Sequence, residues 1–143
     1  MELPVNFQQL YHQITNPIDY SYEPTGAKRA AEMILHAKKN NHHITIDADY
    51  DPDGFYCGRI VCDILDFLHH TNYSVVKTIA KRHGIDGATS LSIANNDSKL
   101  LIVLDSSSDK LAELYELSKT INVLVIDHHY PQGKIPPNTN SFV

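Results

Sequence analysis

Eight consecutive residues, Asp47-Ala48-Asp49-Tyr50-Asp51-Pro52-Asp53-Gly54, carry four carboxylates at alternate positions. Charges packed that closely repel strongly unless something positive sits among them. A lone aspartate, Asp105, and the run Asp127-His128-His129 lie further along the chain and have the chemistry to join them. The spacing of the first segment fits neither an EF-hand, which needs a glutamate at its twelfth position, nor a glycine-rich phosphate loop, which needs more glycines and a lysine. Cation coordination is the better account. Imidazole among oxygen ligands suits Mn²⁺, with Mg²⁺, Fe²⁺, Co²⁺ or Zn²⁺ as alternatives, and disfavours a pure calcium site. So many carboxylates suggest two divalent ions, the arrangement by which phosphatases and nucleases polarise a phosphoryl oxygen and activate a water. Covalent catalysis has no support: Ser106, Ser107 and Ser108 lie in no Gly-x-Ser-x-Gly elbow, and Cys57 has no evident base. The pairs His42-His43 and His69-His70 are read as solvated or helix-end residues, since neither follows a buried strand and an aspartate as His128-His129 does.

These groups act together only if the fold collects them. From Thr25, Ala30, Met33, Ile34 and Ala37 recur at helical spacing up to a basic end at Lys38-Lys39. The β-branched run Ile44-Thr45-Ile46 predicts a strand, followed by the acidic loop. Phe55 to His70 then predicts a helix with Ile60, Ile64, Phe67 and Leu68 on one face. The unit repeats: a strand over Ser74 to Ala80, a basic loop over Lys81 to Gly87, and a short helix over Thr89 to Asn95. It repeats again as the apolar strand Leu100 to Leu104, a polar loop and a helix over Lys110 to Lys119, before a fourth strand, Val123 to Ile126. Ser141-Phe142-Val143 reads as the start of another strand. Alternating strands and helices predict an α/β fold, a mostly parallel sheet with flanking helices in a Rossmann-like, doubly wound layer. In such sheets ligands bind outside the carboxyl ends of the strands. Three of the four predicted strands end in aspartate, at Asp47, Asp105 and Asp127, which predicts that their carboxylates converge. Lys81, Arg82 and His83, after the second strand, can reach the same crevice and hold a substrate phosphate.

The length, 143 residues, suits one domain, and 42% hydrophobic with 20% charged residues is near the globular average, so a buried core is expected. The first 24 residues, with Pro4, Pro17, Pro24, Tyr20 and Tyr22, predict an irregular lead-in containing a short helix over Phe7 to Ile14. No apolar run approaches the roughly 18 residues that span a bilayer, and Met1-Glu2-Leu3-Pro4 does not begin a signal peptide. A cytoplasmic protein with no membrane partner is expected. Cys57 and Cys62, five apart, are read as reduced thiols in the core. The net charge of −5 argues at first against nucleic acid, but seven acids (Asp47, Asp49, Asp51, Asp53, Asp105, Asp109 and Asp127) lie in the three converging segments. Removing those seven from the 17 acids leaves 10 against 12 basic residues, so the acidity is local and points to cations.

Asp-x-Asp-x-Asp-Gly after the first strand, a lone aspartate after a middle strand and Asp-His-His after the next resemble the DHH phosphoesterase superfamily over residues 25–143. The lead-in helix, Asp49 to Gly54, and Lys81-Arg82-x-x-x-Asp86-Gly87 look most like the RecJ branch, the single-strand-specific 5′ exonucleases. The resemblance implies that Asp51 and Asp53 ligate one metal each, that Asp47 is a further ligand, that Asp105 bridges the metals and that His128 is the imidazole ligand. It also implies that Asp127 orients its neighbours, that His129 faces the scissile phosphate and that Arg82 contacts substrate. Asp49, Lys81 and His83 are additional candidates for substrate contact, and Tyr50, Phe55 and Tyr56 lie close enough in sequence to stack on bases.

The activity so implied is that of a hydrolase: a metal-dependent phosphodiesterase, foremost a RecJ-like 5′ exonuclease of single-stranded DNA in DNA repair, using a two-metal-activated water in an in-line displacement. The alternatives are a phosphoesterase of short oligonucleotides, cyclic dinucleotides, nucleoside bisphosphates or pyrophosphate, and a non-catalytic scaffold of replication or repair. The sequence departs from the family at Ser106-Ser107-Ser108, where RecJ-like proteins usually have a small residue and glycine, and at Gly87-Ala88-Thr89, where they have Gly-Tyr-Gly. Those differences touch substrate fit more than metal binding. The family's fourth-motif aspartate and C-terminal substrate-binding domain have no counterpart up to Val143. The chain is therefore expected to be a fragment, a reduced version, or a subunit whose sheet is completed by a partner chain or a second copy.

Overall fold

A computed structural model describes residues 26–76, 84–130 and 133, and the backbone of 139–142. The expected lead-in over 1–24, with its helix at Phe7 to Ile14, and the basic residues Lys81, Arg82 and His83 lie outside the described residues. Among the described residues the chain forms α1 (Ala27–Lys39), β1 (Ile44–Ala48), α2 (Pro52–Phe67), β2 (Tyr73–Val75), α3 (Gly87–Asn96), β3 (Leu100–Leu104), α4 (Leu111–Ser118), β4 (Asn122–Ile126) and β5 (Thr139–Phe142). None of the described helices is long and apolar enough to cross a membrane.

Local chemistry explains most of the boundaries. Helix α1 ends with Lys38 and Lys39, cations placed where the helix dipole favours them. Helix α2 begins three residues before the expected Phe55. Asp51 caps it by accepting the Gly54 N–H, Pro52 occupies the first turn, and Asp53 adds a negative charge there. Helix α3 is closed by a capping box, in which the Asp86 side chain accepts from Ala88 and Thr89 N–H groups while the Thr89 hydroxyl receives the Asp86 N–H.

The strands are parallel throughout and ordered β2-β1-β3-β4-β5. Helices cover both faces, confirming the doubly wound α/β class. On one side Ala30, Ile34 and Ala37 of α1 and Val61 and Leu65 of α2 pack on Ile44, Ile46, Leu100, Ile102, Leu104 and Leu124. On the other, Ile93 of α3 and Leu114 of α4 pack on Leu101, Val103, Val123 and Val125. β3 is buried along its whole length, as its unbroken apolar sequence predicts. The outer edge of β4 is paired by β5, from Val123 opposite Thr139 to Ile126 opposite Phe142.

Two expectations are corrected. β1 is two residues longer than Ile44-Thr45-Ile46, so Asp47 lies inside the strand. In the ladder Ala48 is level with Leu104, and Leu104 with Ile126. The residues that leave the sheet at one height are therefore Asp49, Asp105 and Asp127. The ladder runs one step further, Asp49 N–H bonding to the Leu104 carbonyl and Asp105 N–H to the Ile126 carbonyl.

The second correction concerns α2, whose core face is not Ile60, Ile64 and Phe67. These are 58%, 43% and 83% exposed, while Gly54, Gly58, Val61 and Leu65 are buried. The reason is steric. A Cβ on Gly54 would lie 2.5 Å from the Asp49 carbonyl oxygen and 2.7 Å from its nitrogen, so only a glycine face lets the helix seat this close to the end of β1. Leu65→Ala is accordingly expected to lower unfolding free energy by about 2–5 kcal/mol. Phe67→Ser and Ile60→Ser should change it by no more than about 0.5 kcal/mol. Urea denaturation of the three variants checks the assignment.

Candidate metal centre

Because β3 and β4 end at the same height, the segments that follow them share the space above the sheet. Asp105 leaves β3 with φ +57°, and Ser107 two residues on has φ +71°, both in the left-handed region. Aspartate tolerates that conformation better than most residues. It turns the loop back over the sheet, with Asp105, Ser106, Ser107 and Ser108 all buried.

His128, after β4, places Nε2 3.1 Å from Oδ1 of Asp105. The carboxylate of Asp127, 5% exposed, is held from both sides. Its Oδ1 accepts the His129 backbone N–H at 3.1 Å and lies 2.7 Å from His129 Nδ1. Its Oδ2 accepts the Ser108 hydroxyl at 2.6 Å and the Ser108 N–H at 3.3 Å. The rings of His128 and His129 are tilted against each other with centroids 4.4 Å apart. One ligand atom from each of Asp105, Asp127, His128 and His129 lies within 4.8 Å of the others.

The electrostatics sort these groups into roles. Burial pushes the Asp105 carboxyl above its usual range, the nearby Asp51 carboxylate pushes it further, and His128 offsets part of the effect. A buried carboxyl facing other carboxylates is relieved by an added cation. Burial also pushes Asp127 up, but hydrogen bonds from Ser108 and His129 outweigh it and leave Asp127 below the usual carboxylate range. A carboxylate has about four acceptor positions. Those of Asp127 are met by four protein donors, two from Ser108 and two from His129, so its carboxylate is fixed in place. Its hydrogen bond raises the His129 pKa, and with Nδ1 turned to Asp127 the free nitrogen of that ring is Nε2.

The first acidic segment supplies the remaining candidates. Asp51 caps α2 through Gly54 and acts on Asp105. Asp53 is exposed in the first turn of α2. Cys57 faces the same acids: burial raises its thiol pKa, and Asp105, Asp53 and Asp51 raise it further. Asp49 is buried directly above β1. The gathered donors fit a divalent ion, with Asp105 and His128 in contact and Asp51 acting on Asp105. Asp53 acts on Cys57, and neither Asp51 nor Asp53 is among the four gathered residues.

Asp47 is placed elsewhere. It is 2% exposed and points to the α3 side of the sheet, where its Oδ2 accepts the Thr89 hydroxyl. Thr89 in turn receives the Asp86 N–H. Asp47 thus ties β1 to the capped end of α3 and is not among the gathered donors. The one-residue alternation of a strand sends its side chain to a different face from Ile46 and Ala48.

A cleft of about 290 Å³ opens beside the cluster, lined by Asp105, Ser106, Ser107, Ser108, Asp109, Asp127, His129 and Tyr130. Sequence reading missed Ser108, Thr89, Cys57 and Tyr130. Cys57 carried a signal, since it follows Asp53 by one helical turn. Ser108 and Thr89 carried none, because their partners lie 19 and 42 residues away.

Three comparisons bear on this arrangement. Residues 43–143 match the model of the DHH family, N-terminal domain. No curated protein matches the chain. Among solved structures the chain is similar to exonuclease RecJ bound to manganese, with a TM-score of 0.70 and 24% identity over 84% of this chain and 32% of that one. It is also similar to RecJ in complex with Mn²⁺ from Thermus thermophilus, with a TM-score of 0.66 and 24% identity over 84% of this chain and 17% of that one. The likeness is one of fold, and the chain spans a third or less of either structure.

If Asp47 is structural, Thr89→Val should destabilise the protein by about 1–3 kcal/mol, since a buried carboxylate loses a donor. It should leave Mn²⁺ affinity nearly unchanged. Chemical denaturation and calorimetric titration with Mn²⁺ check the two halves.

Proposed function

The chain belongs to the DHH family, and on that premise we propose that it is the phosphoesterase domain of a metal-dependent nuclease acting at the ends of single-stranded nucleic acid. The observation that carries this reading is the meeting of Asp105 with His128 above the ends of two adjacent strands, 3.1 Å apart, with Asp127 and His129 beside them. The proposed domain is residues 25–143, with 1–24 as a lead-in. Asp105 and His128, with Asp51 and Asp53, would hold divalent cations, Mn²⁺ first because both RecJ structures are manganese complexes. Bound there, the ions would supply Lewis-acid polarisation of a phosphoryl oxygen and an activated water.

The chain's own groups supply positioning and charge. Asp127 fixes the imidazole of His129 through Nδ1, leaving Nε2 toward the cleft to meet a phosphoryl oxygen. The same hydrogen bond shifts the pKa of His129 upward. Tyr130, 91% exposed at the rim of the cleft, offers a ring on which a base can stack. Lys81, Arg82 and His83 are proposed to hold the substrate's phosphates, and Asp49 is a further proposed substrate contact.

The size of the cleft, about 290 Å³, favours a second reading, since it suits one nucleotide better than a long strand. The substrate would then be a dinucleotide or another small phosphodiester.

Both readings are tested by hydrolysis of a 5′-labelled single-stranded oligonucleotide and of a dinucleotide, with Mn²⁺ and with chelator. Metal-dependent turnover is expected, with Asp105→Asn and His128→Ala each losing on the order of 100-fold or more. Mn²⁺ at about 100 times its Kd should raise stability by about 2.7 kcal/mol in the wild type and much less in the variants. Cleavage of the dinucleotide alone selects the small-substrate reading. Full Mn²⁺-dependent activity in His128→Ala overturns both.

A further inference from the structure

Among the described residues, the loop Ser106-Ser107-Ser108 is the polar element against the cluster to which the reading above gives no part. We propose that Ser108 is a positioning residue: by holding Oδ2 of Asp127 with its hydroxyl and its backbone N–H, it fixes Oδ1 on Nδ1 of His129 and so aims Nε2 of that ring at the cleft. The inference rests on the phosphoesterase reading for its catalytic consequence, and on geometry alone for the orientation of His129.

His129 and His128 are both exposed, and an exposed imidazole ordinarily samples several rotamers. Nδ1 of His129 is held by Asp127 at 2.7 Å. That contact orients the ring only if the carboxylate itself cannot turn. Ser108 prevents the turn, because its two donors, 2.6 and 3.3 Å away, reach the same oxygen from one residue. The serine is in turn fixed by its loop. Ser107 stands at φ +71°, and its Oγ accepts the Ile85 N–H at 2.9 Å. A Cβ on Gly84 would fall 2.5 Å from the same Oγ, so that contact also needs glycine. Orientation thus passes from residues 84–85 through Ser107 and Ser108 to Asp127 and His129.

Ser108 is not placed as a nucleophile. It is buried, and its hydroxyl proton is committed to a carboxylate that no base is there to relieve. Its hydrogen bonds go to Asp127 and not to Asp105 or His128, so loss of the hydroxyl should spare metal binding.

The test compares Ser108→Ala, Ser108→Thr and the wild type. Nitrogen-15 NMR of the histidine rings, in metal-free protein at alkaline pH where the ring is neutral, reads the tautomer directly. The wild type is expected to hold His129 as the Nδ1–H form, Ser108→Ala to show averaging between tautomers, and Ser108→Thr, which keeps the hydroxyl, to restore the fixed form. In turnover, Ser108→Ala should lose about 10–100-fold in kcat with KM and Mn²⁺ affinity little changed, and Ser108→Thr should recover most of the loss. In an Asp127→Asn background Ser108→Ala should add nothing further. If Ser108→Ala does not fold, Ser108→Cys, near in shape but a weak donor, carries the same comparison.

A wild-type tautomer pattern in folded Ser108→Ala overturns the proposal, as does a folded Ser108→Thr impaired as much as Ser108→Ala. Absence of turnover in the wild type counts against the phosphoesterase reading only, since the ring measurement decides the role of Ser108 without activity.

Discussion

The arrangement depends on one constraint, the common height at which three adjacent parallel strands stop. β1, β3 and β4 are in register to their last residues, so the chain leaves the sheet side by side at Asp49, Asp105 and Asp127. Parallel ladders fix that height through backbone hydrogen bonds, and burial on both faces forbids a slip of one residue, which would turn every apolar side chain to the wrong side. Carboxylates are thus brought together by forces that have nothing to do with their charge. Core burial opposes their repulsion, and the site is left with an electrostatic demand that a cation would meet.

Within that cluster the two strand-end acids have diverged by environment. Asp105 is buried beside another carboxylate with His128 as its near partner, and is held above the ordinary carboxylate range. Asp127 is as buried, yet four donors surround it and it lies below that range. Hydrogen bonding to the charged form wins in one case and desolvation in the other. One carboxylate stands beside an imidazole and another acid, and the other is fixed against the imidazole of His129.

The seat of α2 shows how packing can override apolar periodicity. Ile60, Ile64 and Phe67 offered the larger hydrophobic face, and counting apolar residues selected it. Helix and strand, however, are joined by only three residues, so the helix must lie against the end of β1, where Asp49 leaves room for no Cβ at position 54. The glycine face goes inward and the larger apolar side chains stay out. By bringing Asp51 and Cys57 within electrostatic reach of Asp105, and Asp53 within reach of Cys57, this seat adds to the acidic surround.

The sequence by itself determined the α/β class, the continuous strand Leu100–Leu104, the likeness to the DHH family and the convergence of Asp105 with Asp127-His128-His129. Periodicity and strand-end position are local properties, and a parallel sheet turns them into a shared location by a general rule. Only the tertiary structure decided that Asp47 serves α3 rather than the cluster, that α2 buries its glycines, and that Ser108 holds Asp127. Each of these is set by a partner far away in sequence or by a close approach of backbones. Register and steric fit are properties of two segments at once, and no window of a single chain contains both.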